Sequence, residues 1–268
     1  MPVYDHMKIP LYQVDAFSSK VFGGNPAAVC LIDKWLPDLL MQQIAAENNL
    51  SETAFLVKEG KDYHIRWFTP TVEVDLCGHA TLASAYVLFH QLSFPGDVVL
   101  FHSKSGVLKA TAHKGKRLTL DFPATPPRPY LEPSEGIGRG LHLAEPLLYK
   151  GPFDYMVVLD SQQAVENMRP DFAVLAQAGG RGVVVTAKGE DADFVSRCFY
   201  PQSGVDEDPV TGSAHSMLVP FWAEKLGRKK LTAIQLSARR GFLECELVKD
   251  RVLMSGHAAL YLKGEIEV

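Results

Sequence analysis

Two stretches of this 268-residue chain place acidic side chains ahead of a glycine that precedes an apolar, helix-like run. A turn of small residues that opens into a helix leaves several backbone N–H groups without intrahelical partners. Together with the helix dipole, these groups favour an anion or a developing negative charge, such as a carboxylate or an enolate oxygen. The two stretches are Glu73-Val-Asp75-Leu-Cys77-Gly78-His79-Ala80 and Asp206-Glu207-Asp208-Pro-Val-Thr211-Gly212-Ser213-Ala214.

Each of these glycines also has a purely structural interpretation, because glycine is common wherever a loop closes onto a helix. A single glycine before a helix would not decide between a loop closure and a binding site. Two copies in one chain, each flanked by acidic residues, favour the binding site, and a cleft that receives both helix starts would hold one small anion.

Three further side chains near the first stretch are candidates for proton transfer. Glu52 opens a predicted strand whose later residues are mostly apolar, so desolvation would raise its pKa towards that of a general base; the alternative is a glutamate that faces solvent. His79 either binds a carboxylate or acts as an acid, or it is a satisfied structural histidine. The Cys77 thiol precedes a helix and either has a lowered pKa or is a buried, inert packing group.

The two glycine-led stretches belong to a long internal repeat. An R-x-F-x-P motif at position 66 recurs at position 197, and the helix-opening glycine at position 78 recurs at position 212. Two later motifs follow in the same order. The repeat is far longer than a solenoid unit. It therefore predicts two domains of one fold, each with an apolar helix after its glycine, at 79–91 and 213–226.

A proline-rich segment separates the two copies. Proline can neither donate to a strand ladder nor extend a helix, so residues 123–133 are predicted to be an interdomain linker. The first domain then covers 1–124 and the second 125–257. Gly136, Gly138 and Gly140 superficially match a phosphate-binding loop, but no strand leads into them and their spacing is wrong. They are predicted to lie in a flexible loop.

Composition and charge exclude several classes of protein. Hydrophobic residues make up 47% of the chain and charged residues 22%, which is typical of a soluble globular protein. A formal net charge of −4 provides no basic surface for nucleic acid. Four widely separated cysteines indicate the reducing cytoplasm rather than a disulfide framework. The sequence has no apolar run long enough for a membrane span, no histidine spacing typical of a metal site and no nucleotide-binding motif.

Four motifs along the chain occur in a combination that identifies a family. They are Gly24-Asn25-Pro26-Ala-Ala-Val, Asn49-Leu-Ser-Glu52-Thr-Ala-Phe, Phe68-Thr-Pro-x-x-Glu73-Val-x-x-Cys77-Gly78-His79-Ala-Thr and Glu207-Asp208-Pro-Val-Thr-Gly212-Ser213-Ala. From Ile9 to its C-terminus the chain resembles the PhzF family of phenazine-biosynthesis-like isomerases, which has the diaminopimelate-epimerase-like fold. The resemblance implies an α/β (α+β) fold with two similar domains. In each, a curved, mainly antiparallel sheet wraps around a central helix, and the active site lies in the cleft between the domains.

The resemblance also implies roles for individual residues. Glu52 corresponds to the proton-transferring glutamate, and His79 and Asp208 are its expected catalytic partners. The expected substrate-binding residues are Gly78, Gly212, Ser213, Cys77 and Asn25. Epimerases of the same fold use one thiol at each helix start, but the second such position here is Thr211, a poor proton acceptor. This substitution disfavours a symmetric two-thiol racemase.

The sequence thus predicts a cofactor-independent isomerase that moves a proton on a small carboxylic acid through a single carboxylate. It predicts no metal, no cofactor, no nucleic-acid or membrane partner, a homodimer, and a last segment, 258–268, that crosses back to the first domain. Two alternatives stay open. One is an epimerase or racemase of an amino or hydroxy acid, using Glu52 or Cys77 with a second acid such as Asp208. The other is a non-catalytic small-molecule binding protein of the same fold.

Overall fold

The computed structural model describes residues 7–132 and 135–268 of the chain. The chain divides into two compact units. The first consists of Met1–Leu120 together with Gly256–Val268, and the second is Asp121–Ser255. The first unit therefore contains both ends of the chain.

The first unit is built on a mixed, mainly antiparallel sheet. Its strands are β1 (Lys8–Ala16), β2 (Asn25–Ile32), β3 (Glu52–Glu59), β4 (Asp62–Phe68), β5 (Glu73–Val74), β6 (Val98–Ser103), β7 (Gly106–Ala112) and the C-terminal β18 (Ala258–Glu267). Strand β1 pairs antiparallel with both β18 and β2, and β2 pairs parallel with β3. Strand β3 pairs antiparallel with β4, β4 pairs parallel with β6, and β6 pairs antiparallel with β7. The short strand β5 pairs antiparallel with β4.

Two helices pack on this sheet, α1 (Asp38–Asn48) and α2 (Gly78–Gln91). Helix α2 is the central one, because each of its residues up to Leu88 is buried and it contacts β1, β2, β3 and β7. A helix that is apolar on all sides is stable only when protein surrounds it. Its alanines leave room for the sheet to approach closely. The predicted architecture of a curved sheet around a central helix is confirmed here.

The second unit contains the remaining strands and four helices. Strand β8 (Leu118–Pro123) contains the boundary residue Leu120 and is followed by β9 (Arg128–Pro129), β10 (Leu147–Lys150), β11 (Asp154–Val158), β12 (Gly182–Lys188), β13 (Phe194–Tyr200), β14 (Val205–Asp208), β15 (Lys230–Gln235), β16 (Gly241–Val248) and β17 (Arg251–Gly256). The helices are α3 (Glu135–Gly140), α4 (Gln162–Asn167), α5 (Phe172–Leu175) and α6 (Gly212–Leu226). Among the described residues, none of the helices has the length and hydropathy needed to cross a bilayer.

The two units repeat one strand order. In the second unit β10 pairs antiparallel with β11, β11 parallel with β12, β12 antiparallel with β13, β13 parallel with β15 and β15 antiparallel with β16. The first unit has the same alternation from β1 to β7. Helix α6 follows the short strand β14 just as α2 follows β5, and both helices are largely buried. The structure thus confirms the duplication predicted from the motifs.

The arginine of each repeated R-x-F-x-P motif holds the segment that leads to the helix. Arg66 donates two hydrogen bonds to the carboxylate of Glu73, each of 2.8 Å, and Arg197 donates two to Glu207, of 2.7 and 2.9 Å. Each guanidinium also packs over the phenylalanine two residues later in the chain. The Arg66 guanidinium lowers the pKa of Glu73. Each glutamate therefore forms a structural ion pair with its arginine. Both units have this ion pair in the segment that precedes the helix.

The prediction of a flexible loop at the three closely spaced glycines is wrong. Residues Glu135–Gly140 form helix α3. Ile137 and Leu141 are buried in a core cluster of the second unit, and a Cβ at Gly140 would lie 2.6 Å from Leu175 Cδ2. Glycine has a low helix propensity, but burial of these apolar neighbours outweighs it. The glycine here allows close packing.

The proline-rich segment is part of the second unit and not a separate linker. Ala124 N–H donates to Asp250 O at 2.8 Å, and Thr125 N–H donates to Ser216 O at 2.9 Å. Strand β9 then pairs antiparallel with β10. Prolines lack only their own N–H, so the residues between them still pair with neighbouring strands. The last residue of the predicted linker, Pro133, lies outside the described residues.

A buried histidine on α6 makes the stability of the fold sensitive to acid. His215 Nδ1 lies 2.8 Å from Thr211 O, and burial lowers the pKa of His215 to about 4. In the unfolded chain this imidazole takes up a proton below about pH 6.5, whereas in the folded protein it stays neutral. Its contribution to stability is therefore complete above that pH and is lost as the pH falls towards 4. Between pH 7 and about pH 4.5, we expect wild type to lose roughly 2 kcal/mol more unfolding free energy than His215→Asn.

Urea unfolding at a series of pH values measures this difference. Asn retains an N–H donor near the position of Nδ1 and carries no titrating proton. The control is His257→Asn, because His257 is exposed. Equal pH dependence of wild type and His215→Asn would contradict the prediction.

Candidate active site

Glu52 and His79 lie side by side in the first unit. Glu52 begins β3, opposite Ala27 of β2, and His79 is the second residue of α2. The His79 Nε2 atom lies 3.2 Å from Glu52 Oε2. The imidazole is almost completely buried, whereas 17% of the Glu52 side chain is exposed. The Glu52 side chain thus contacts a buried group while part of it remains exposed.

The remaining contacts of His79 determine which ring nitrogen carries the proton. Asn25 Nδ2 lies 3.1 Å from His79 Nδ1, and the Cys77 sulfur lies 3.5 Å from the same nitrogen. An amide NH₂ group only donates, so Nδ1 accepts a hydrogen bond and the ring proton is on Nε2. The Nε2–H group therefore faces the carboxyl group of Glu52.

The His79 ring is neutral in this environment. Burial lowers its pKa to about 3. An imidazolium beside Glu52 would oppose protonation of the carboxylate, whereas a neutral N–H donor orients the carboxylate without a full positive charge. The arrangement suits a carboxylate that must accept a proton and release it again.

The predicted site residues on the second unit surround the start of α6. Asp208 ends β14 and is buried, and Thr211 Oγ1 donates to Asp208 Oδ2 at 2.5 Å. Gly212 and Ser213 are the first two residues of the helix. The Ser213 Oγ atom accepts a hydrogen bond of 3.0 Å from Arg181 Nη2.

Both helix starts have the features expected of anion-binding turns. Cys77 and Thr211 occupy the N-cap positions, and within the described ranges no side-chain capping bond closes either first turn. Gly78 and Gly212 follow directly, so no Cβ covers the first helical N–H groups. Such N–H groups are donors for a carboxylate or an oxyanion.

Two residues of the second site were not among the individual site residues predicted from the sequence. Gln235 Oε1 accepts a hydrogen bond from Thr211 N–H at 2.8 Å, and Gln235 Nε2 donates to Asp208 O at 2.7 Å, so this amide fixes the turn before α6. Arg181 contacts Ser213 from the beginning of β12. Neither residue is part of one of the family motifs. The one signal for Arg181 was its position in the glycine-rich sequence Gly179-Gly-Arg-Gly182.

The structure also brings together three groups that could ligate a metal. One ligand atom each from Glu52, Cys77 and His79 lies within 4.8 Å of the others, and among the described residues no second cluster of this kind occurs. Cys77 and His79 come from one segment and Glu52 from another, so no local spacing in the sequence indicated the whole group. Of the two ring nitrogens of His79, Nδ1 lies beside Asn25 and Nε2 lies 3.2 Å from Glu52. The predicted absence of a metal stays a prediction.

Comparison with known proteins decides the family. Residues 14–264 match the model of the phenazine biosynthesis-like (PhzC-PhzF) family. The chain belongs to this family. It is 50% identical over 262 residues to an uncharacterised isomerase of Pseudomonas aeruginosa, a match that covers 98% of this chain and all of the relative. A crystal structure of a PhzF-family protein from Enterococcus faecalis superposes with a TM-score of 0.92 at 47% identity, covering 98% of this chain and all of that one.

More distant structures share the fold of this PhzF-family protein. A hydroxyproline epimerase from Agrobacterium vitis superposes with a TM-score of 0.63 at 12% identity, and the match covers 97% of this chain and 93% of the epimerase. That level of identity shows the fold alone. The resemblance to the PhzF family and to the epimerase-like fold is thus confirmed, and a curated relative of the chain is named as an isomerase.

Proposed function

We propose that the protein is a cofactor-independent isomerase that moves a proton within a small carboxylic acid, with Glu52 as both acid and base. The observation that supports this most strongly is the distance of 3.2 Å between a carboxylate oxygen of the part-exposed Glu52 side chain and Nε2 of the buried His79. A general base must be held in position and must also reach its substrate. The pair meets both requirements, because His79 is fixed by its own partners.

The proton shift requires only the carboxylate. Glu52 removes a proton from a substrate carbon next to an unsaturated or carbonyl group, and the electrons of the broken C–H bond move into that π system. The anion that results is an enolate or its vinylogue. Glu52, now protonated, returns the proton to a different carbon. The product has the same atoms as the substrate, and one double bond has moved.

The neighbouring groups support this cycle. His79 orients the Glu52 carboxyl group through Nε2–H, and we assign Asn25 and Cys77 the role of positioning His79, because Asn25 is completely buried. Backbone N–H groups at Gly78 stabilise the anion. On the second unit, we propose that Asp208 binds an amino or hydroxyl group of a ligand, and that Gly212 and Ser213 bind anionic oxygens.

An epimerase is the second candidate, because Asp208 is a second buried acid next to a helix start. A two-thiol mechanism has little support, because Thr211 occupies the second thiol position and its hydroxyl group donates to Asp208. Apart from Cys77, the cysteines are Cys30, Cys198 and Cys245. All three are buried, and burial raises the pKa of each thiol. The third candidate, a binding protein without catalytic activity, is separated from both enzymes by measuring proton exchange.

Deuterium wash-in tests the proposal. The protein is incubated in deuterated buffer with a panel of small unsaturated carboxylic acids and of amino and hydroxy acids, and each acid is followed by proton NMR and mass spectrometry. We expect deuterium at carbon together with a shifted double bond, and the same rate after dialysis against a chelator. Deuterium with an inverted stereocentre would favour the epimerase. Acids that raise the melting temperature but take up no deuterium would favour a binding protein.

The predicted homodimer and cytoplasmic location stay predictions.

A further inference from the structure

Three side chains of the first unit present a sulfur, a nitrogen and an oxygen to one small region. One ligand atom each from Cys77, His79 and Glu52 lies within 4.8 Å of the other two. The closest pairs are Glu52 Oε2 with His79 Nε2, at 3.2 Å, and Cys77 Sγ with His79 Nδ1, at 3.5 Å. Bond lengths of about 2.0–2.3 Å in a tetrahedral zinc site place neighbouring ligand atoms about 3.3–3.6 Å apart. Small side-chain rotations therefore suffice for the three groups to share one zinc ion.

The burial of these side chains suits a bound ion. Only 5% of Cys77 and 2% of His79 are exposed, whereas 17% of the Glu52 side chain is exposed. Two ligands are thus held in the interior, so little conformational entropy is lost when they bind an ion. The third is in contact with solvent, from which an ion can reach the group.

Asn25 supplies the second contact that a metal-binding histidine needs. In zinc sites, the ring nitrogen that does not bind the metal is almost always held by a hydrogen bond. The completely buried Asn25 has its amide 3.1 Å from His79 Nδ1, so Nε2, which faces Glu52, is the ligand nitrogen. Zinc at Nε2 moves the ring proton to Nδ1, and rotation of the Asn25 amide brings Oδ1 to accept it. The Cys77 thiol releases its proton to solvent.

The donor set determines which kind of metal fits. A thiolate and an imidazole prefer borderline-soft ions such as Zn²⁺, whereas Mg²⁺ and Ca²⁺ take oxygen ligands. Three protein ligands leave the fourth position of a tetrahedral ion to water, unlike the four protein ligands of a closed structural site. The group therefore matches an open zinc site.

We propose that Cys77, His79 and Glu52 form an inhibitory zinc site. The inhibition rests on the proposed function in one respect, namely that Glu52 is the base. A carboxylate oxygen that is bonded to zinc cannot accept a proton from carbon, and a His79 ring bonded through Nε2 no longer orients it. The isomerase is active as the metal-free protein, and zinc inactivates it reversibly.

Zinc and cobalt(II) are the probes for this site. The full-length protein is reduced, dialysed against a chelator and titrated with Zn²⁺ in competition with a chromophoric chelator. We expect one zinc ion per chain and no displacement of it by a large excess of Mg²⁺. Cobalt(II) occupies zinc sites and absorbs light, and we expect the charge-transfer band of a thiolate ligand.

Two variants each remove one ligand atom with little change in volume. In Cys77→Ser and in Glu52→Gln, the dissociation constant for zinc is expected to rise about tenfold or more. The cobalt charge-transfer band should disappear in Cys77→Ser. The control is His64→Gln, because His64 is a more exposed histidine that also contacts a glutamate, Glu59. This control should bind zinc as wild type does. Melting temperatures of the metal-free variants show whether each is folded, and Glu52→Gln decides if Cys77→Ser is not.

Three results would overturn the zinc site. The first is wild type that binds no zinc. The second is zinc affinity in Cys77→Ser and Glu52→Gln equal to that of wild type. The third is a loss of affinity in His64→Gln as large as the loss in these two variants, which would indicate binding at the surface.

Deuterium wash-in separates the zinc site from the proposed function. We expect one equivalent of zinc to stop wash-in and an excess of chelator to restore it. If zinc binds through Cys77 but metal-free wash-in does not depend on Glu52, the zinc site stands and the proton-shift mechanism fails. If metal-free wash-in depends on Glu52 while neither variant changes zinc binding, the isomerase stands and the zinc site is wrong. Zinc that binds without slowing wash-in would contradict the inhibitory role.

Discussion

Replacement of Glu52 by glutamine is expected to reduce the rate of deuterium wash-in about 10²–10⁴-fold, the usual cost of losing a positioned acid–base group. Glutamine has the size of glutamate and retains an oxygen at the position that contacts His79 Nε2. Folding and ligand affinity should therefore remain close to those of wild type. The loss would appear in kcat, while KM changes little.

The matched control for this variant is Glu59→Gln. Glu59 lies on the same strand, β3, but at its other end and exposed to solvent. The substitution removes the same charge, so a general electrostatic effect would appear in both variants. We expect Glu59→Gln to exchange protons at the wild-type rate. Wash-in that persists unchanged in Glu52→Gln would remove this residue from the mechanism.

Replacement of Gly24 by alanine should have the largest effect on folding. Gly24 has a φ of +62°, and a Cβ at this position would lie 2.0 Å from Ala16 O. A backbone carbonyl in the neighbouring strand cannot move away as a side chain can, so the turn between β1 and β2 must shift. Gly24 directly precedes Asn25, whose amide holds His79. We expect a loss of about 3 kcal/mol or more in unfolding free energy.

Gly60→Ala is the control that separates the two causes of the loss in Gly24→Ala, which are the steric clash of the new Cβ and the positive φ. Gly60 has nearly the same φ, +59°, but nothing lies within 4 Å of its would-be Cβ. Alanine there has only the left-handed conformation to overcome, at a cost of about 1 kcal/mol. Urea unfolding measured by circular dichroism compares the two variants. Equal losses would show that the contact with Ala16 does not matter.

Several elements could be predicted because local rules decide them. The apolar run at 79–91 forms α2, since a helix without a polar face is stable only inside a protein, and the helix begins one residue earlier than predicted. The repeated motifs predicted the duplicated strand order. Helix α3 was missed because glycine propensity argues against a helix, whereas the burial of Ile137 and Leu141 that stabilises it depends on distant residues.

The amino-acid sequence by itself determined the family, the duplication and the presence of a glutamate, a histidine and two glycine-led helices, because motifs and periodicity are properties of neighbouring residues. Only the tertiary structure decided which groups meet. Asn25 bonds His79 across 54 positions, and Arg181 bonds Ser213 across 32. No local spacing encodes such pairs, since they depend on how strands and helices pack. The partners of His79 and of Ser213 therefore became known only from the folded chain.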